Sequence, residues 1–238
     1  MSYDAEPRRG QTAVRVGAAI DEGLRQYMLK VYNYMAGGLA LTGIVAFLTA
    51  NTPVVFNAIF GTPLMWVVML APLGFVFFLS FRINKMSYSA AQLTFWAFAA
   101  VMGLSIAWIF LAFTSTSIAR VFFITAGMFA GMSLYGYTTK RDLSGWGSFL
   151  FMGLIGIIIA ALVNMFVGST ALQFAISVIG VIVFTGLTAF DTQSIKELYI
   201  ESDSHEIAGK KTVIGALRLY LDFINLFIML LQLLGNRR

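Results

Sequence analysis

Two aspartates sit in stretches of this 238-residue chain that are otherwise apolar enough to lie in a membrane: Asp191 in VFTGLTAFDTQSIKELY and Asp222 in GALRLYLDFINLFIMLLQLLG. An ionisable side chain at bilayer depth is expensive, so it normally faces the protein interior or a water-filled cavity and marks function. Carboxyls held within a few ångströms at low dielectric cannot both ionise cheaply, so they would gain and lose protons as one coupled unit. The same oxygens could hold a hard divalent cation such as calcium, with backbone carbonyls, Asn225 or water completing its shell. The plainer role is that both aspartates only hydrogen-bond helices together.

Asp222 belongs to a stripe. Arg218, Asp222, Asn225 and Gln232 are spaced 4, 3 and 7 apart and share one helix face. Facing lipid, that stripe would be costly, so it must look inward, and the last helix is expected at the centre of a bundle. The midpoint between Asp191 and Asp222 falls between Glu206 and Ile207, inside the polar segment SDSHEIAG. A turn there sets the two carboxylates level. Fourteen residues separate Asp222 from Asn236, about 21 Å of helix, which puts Asp222 in the cytoplasmic third of a ~30 Å hydrocarbon core. Nineteen residues separate Pro63 from Arg82, as they do Leu172 from Asp191. Arg82 is therefore expected at the depth of the pair and as its basic partner, held by an ionised aspartate and released on protonation.

The elements that must position these groups follow from composition. With 59% hydrophobic residues, 11% charged residues and mean hydropathy +0.82, the chain reads as an all-α polytopic membrane protein. Seven apolar runs of spanning length, 28–50, 63–81, 90–113, 117–137, 146–167, 171–190 and 212–234, form one transmembrane domain over 28–238, after a polar, mixed-charge N-terminal segment at 1–27. Barrel strands would be half as long and would alternate in polarity. The absence of cysteine excludes disulfides, thiolate metal sites and thiol catalysis. The net charge of +5 is not gathered into the basic patch that nucleic acid would need.

Lysine and arginine alternate between joints. The N-terminal segment and the joints holding Arg82 and Lys85, Lys140 and Arg141, and Lys196, Lys210 and Lys211 are basic, whereas NTPVVFNAIFGT, TSTS and GST are neutral. This predicts a cytoplasmic N-terminus and a C-terminus outside, with Arg120, Arg237 and Arg238 on the side that runs against the trend. Ala126, Gly127, Ala130 and Gly131 supply small-residue spacing expected to pack one helix closely on a neighbour.

Enzyme readings find little support. An intramembrane aspartyl protease carries GxGD at its second aspartate, where this chain has LYLD. His205, the sole histidine, falls in the predicted cytoplasmic turn, and Lys210 and Lys211 lie at the end of the last span rather than in its middle, where a retinal Schiff base would need one.

Four stretches, VYNYMAGGLALTG at 31–43, SFRINKMS at 80–87, TGLTAFDTQSIKELY at 185–199 and ALRLYLDFINLF at 216–227, resemble the Bax-inhibitor-type (TMBIM) membrane proteins, in their bacterial branch. The resemblance runs from the first span to the last. It implies a seven-helix fold with a central last helix, in a bacterial inner membrane. It also implies a pH-dependent calcium leak in which Asp191 and Asp222 match the family's paired aspartates and Arg82 its latch arginine. The alternative that it implies is a regulatory protein that binds a membrane protein partner, restraining a membrane protease or a cell-death pathway, with no transport of its own.

Overall fold

The structure, a computed structural model, describes residues 7–238, with side chains from Glu22 onward. Residues 1–6 of the expected N-terminal segment lie outside the described residues. The helices are α1 (Pro7–Ala50), α2 (Pro53–Phe60), α3 (Leu64–Arg82), α4 (Tyr88–Ile106), α5 (Ile109–Ala112), α6 (Ser115–Thr138), α7 (Ser144–Val167), α8 (Thr170–Glu197) and α9 (His205–Leu234). Seven spans among them, with α4 and α5 together making one, are long and apolar enough to cross a membrane.

Side-chain chemistry at the joints explains why the helices start where they do. Ser87, Thr114, Ser169 and Ser204 each precede a helix in extended conformation and accept a hydrogen bond from its third residue's amide, satisfying a donor that the helix cannot. Gly168 ends α7 with φ of 65°, a left-handed conformation that glycine adopts without penalty. Ser169 starts α8 directly afterwards, so this reversal is very tight. The neutral joint after α1 is not a plain loop, because Pro53 opens the apolar helix α2 within it.

Several bounds move from those expected. α8 and α9 each run about two turns further towards the charged end than the apolar runs do, because polar residues continue a helix once it leaves the hydrocarbon. The span at 90–113 breaks at Ala107–Trp108.

α9 is the axis of the bundle. Its most apolar stretch is 67% buried, against 17–39% in the other six spans. It packs on α1, α4, α6 and α8, while α3 docks chiefly on α4 and α7 on α8. The core around α9 is aromatic: the Tyr220 ring lies 5.1 Å from Phe98, and Phe223 lies 5.5 Å from Phe129. The Tyr220 hydroxyl meets Thr42 Oγ1 at 2.6 Å, and Thr42 Oγ1 donates to the Ala99 carbonyl at 2.7 Å. That chain joins α9, α1 and α4.

The small residues of α6 do not pack as expected. Gly127 and Gly131 have open space before them. The close approach comes one turn later, where a Cβ on Gly136 would lie 2.2 Å from the Ala189 carbonyl oxygen of α8. Helical phase decides this: Gly136 is buried, while Gly127, Ala130 and Gly131 face outward. Arg120, which ran against the charge trend, donates to the Leu234 carbonyl at 3.3 Å and caps the C-terminal end of α9. The last residues then pair back on the α5–α6 joint, through Thr114 N to Asn236 O at 3.1 Å and Arg238 N to Ala112 O at 3.0 Å.

Candidate functional site

α8 and α9 run antiparallel in a register fixed by Ile195 against Gly215 and Met229 against Gly180. Both pairs are centred at Ser204–His205, close to the expected reversal but at the first turn of α9. The non-helical joint before it folds back along α9, where Lys211 Nζ donates to the Leu198 carbonyl at 2.9 Å and meets Asp203 Oδ2 at 2.5 Å. A small offset therefore separates the Asp191 and Asp222 backbones. It is absorbed because helical side chains lean towards their own N-terminus, so those of Asp191 and Asp222 lean towards each other.

The two carboxyls are close enough to act on each other's charge. Asp222 is 4% exposed, and its Oδ2 has no donor from the described residues. Asp191 Oδ1 lies 3.9 Å from Arg218 Nη1, with the arginine side chain 46% exposed and the aspartate 17%. The site thus grades from a sealed carboxyl, through a half-sealed one, to a cation that reaches the surface of the bundle.

Arg218 rather than Arg82 is the cation that the structure brings to the pair. Arg82 ends α3, is exposed, and makes no ion pair among the described residues. The expected partnership fails because α3 packs chiefly on α4 rather than on α8 or α9. The rest of the stripe is divided. Asn225 donates to the Leu221 carbonyl of its own helix at 2.8 Å. Gln232, ten residues or about 15 Å above Asp222, accepts from Ser177 Oγ at 3.0 Å and from Gln173. These groups, with Asn164 and Arg237, line a polar recess of about 360 Å³ at the neutral end.

The structure adds residues to the site that spacing along the helices does not mark. Beside Asp191, Thr192 Oγ1 meets Ser133 Oγ at 3.0 Å, which meets the Tyr32 hydroxyl at 2.6 Å. This hydroxyl chain ties α8 to α6 and α1 at the level of the pair. The signal lay in the motif itself, since Thr192 and Gln193 follow Asp191 directly in FDTQS. Among the described residues, no three histidine, cysteine or acidic side chains gather as a metal centre. Calcium at Asp191 and Asp222 would rest on these two carboxyls, with water and backbone oxygens supplying the rest of a shell of 6–8.

An all-helical bundle of seven spans packed around its last helix defines the class, a polytopic membrane protein. The family described as inhibitor of apoptosis-promoting Bax1 matches residues 24–238, and the chain belongs to this Bax-inhibitor family. Its relatives include protein RP147 of Rickettsia prowazekii, 48% identical over 227 residues, covering 95% of this chain and 96% of the other. The inner membrane protein YbhL of Escherichia coli K12 is also 48% identical, over 219 residues, covering 91% and 94%. A protein of Caulobacter vibrioides is 42% identical over 240 residues, covering 97% and 96%.

Proposed function

We propose that this protein is a pH-sensitive cation leak, with calcium as its permeant ion, in a bacterial inner membrane. The observation that carries the reading is the buried Asp222 carboxyl beside Asp191, whose Oδ1 lies 3.9 Å from Arg218 Nη1. When Asp191 is ionised, Arg218 ties α8 to α9. Protonation discharges Asp191 and removes the attraction, leaving α8 and α9 free to part along the stripe. The polar recess around Gln232 then serves as the opposite mouth, and the apolar belt of Phe223, Leu226 and Phe227 is the barrier that must shift. The basic joints support a cytoplasmic N-terminus, which puts the pair on the cytoplasmic side.

The test is flux. Purified protein in calcium-loaded vesicles is expected to release calcium in a pH-dependent way. Asp222→Asn, which keeps the shape but removes one titrating group, is expected to change that dependence. Release equal to that of empty vesicles at every pH would overturn the proposal.

A further inference from the structure

α6 and α7 follow one another in sequence, yet both pack on α8 rather than chiefly on each other. The space between them is a groove of about 610 Å³, floored by Val181, Thr185 and Ala189 of α8 and walled by Met132 of α6 and Phe149 of α7. From Val181 to Ala189 it follows about 12 Å of helix, most of the ~15 Å of hydrocarbon in one leaflet.

The groove is built rather than left over. Gln193, 6% exposed, donates to the Arg141 carbonyl at 2.8 Å and accepts from the Leu143 amide at 2.8 Å. It thereby pins the α6–α7 joint to α8 and fixes the spacing of both walls. The mouth is cationic. Arg141 lines it and makes no ion pair among the described residues, and Lys140 beside it is exposed. Asp142, also at the mouth, is committed to the first turn of α7, where its Oδ1 accepts from the Ser144 amide at 2.8 Å. Trp146, 64% exposed, stands at the rim, where an amphipathic ring suits the headgroup layer.

We propose that this groove is a binding site for an anionic phospholipid of the leaflet at the charged end, with one acyl chain between α6 and α7 and the phosphate at Arg141 and Lys140. An apolar trough alone would take any lipid. The cationic mouth makes it selective, as basic pockets between transmembrane helices are for anionic headgroups. This inference stands whether or not the protein conducts ions.

The experiment is native mass spectrometry of the full chain, released from vesicles holding equal amounts of phosphatidylglycerol and phosphatidylcholine. Retained lipid is expected to be mostly phosphatidylglycerol, with the preference falling about fivefold for each cation removed in Lys140→Gln and Arg141→Gln. A second measurement reads position: in a chain with Trp66, Trp96 and Trp108 replaced by Phe, acyl-brominated phosphatidylglycerol should quench Trp146 more than its choline counterpart does. Equal retention of the two lipids, or a preference unchanged in the double variant, would overturn the proposal. So would spectra showing a lipid-free dimer, which would make the groove a contact between two copies.

Discussion

Replacing Arg218 by Gln removes the cation that the structure places on the aspartate pair, and the size of the effect can be worked from its geometry. Opposite charges 3.9 Å apart attract by about 4 kcal/mol at an effective dielectric constant of 20. Arg218 is nearly half exposed, and solvent screening draws that figure towards the ~1 kcal/mol of exposed pairs. A tie worth about 1–2 kcal/mol shifts a two-state equilibrium roughly 5- to 30-fold. The effect must also be one-sided in pH, because the tie exists only while Asp191 is ionised. Arg218→Gln is therefore expected to raise calcium release at neutral pH by that factor and to leave acid-side release unchanged. Arg218→Lys, which keeps the charge, should restore most of the neutral-pH restraint. The assay is release from indicator-monitored vesicles across a pH series. If the ratio of neutral to acid release is the same in Arg218→Gln and wild type, Arg218 is not the latch.

Three further outcomes follow from packing and capping. Gly136→Ala drives a methyl into the Ala189 carbonyl of α8 and should cost about 1–3 kcal/mol, seen as a lower unfolding temperature in detergent, whereas Gly131→Ala, facing open space, should not. With the Thr42 proton on the Ala99 carbonyl, Tyr220 donates to Thr42, so Thr42→Val leaves the Tyr220 hydroxyl buried without an acceptor and should cost ~1–3 kcal/mol; Tyr220→Phe, which removes that donor, should cost nearer ~0.6 kcal/mol, and the reverse order would contradict that direction. Bonds from the Ser144 hydroxyl and amide hold the Asp142 carboxyl below its ordinary range. Its contribution to stability is thus present at neutral pH and lost as pH falls through that lowered value, so thermal melts of Asp142→Asn and wild type should differ at pH 7 and converge in acid.

What the sequence made legible was periodic. The apolar runs predict seven spans, the stripe on α9 predicts its central place, and the residue numbers of Asp191 and Asp222 predict that they meet. What it left hidden was lateral. Counting residues along α3 yields an expected depth for Arg82 and says nothing of which helix lies beside it. The spacing of Gly127 and Gly131 marks a helix that can be approached closely, yet phase alone turns that face outward and leaves Gly136 to make the contact. Arg218 was visible in the stripe from the start. Its role as partner to Asp191 depends on the α8–α9 register, which the first turns of α9 and the folded-back joint set together.

The central position of α9 also constrains how the protein can be made. The helix that touches α1, α4, α6 and α8 follows all four in the chain and so leaves the ribosome after them. At ~5–20 residues per second, the 41 residues after Glu197 take roughly 2–8 s to emerge. For those seconds six inserted helices surround an axis that has not arrived, with Asp191 lacking both its partner carboxyl and its arginine. Insertion of α9 is then the step that joins two sets of spans, α3–α4–α1 and α6–α8–α7, which touch each other little without it.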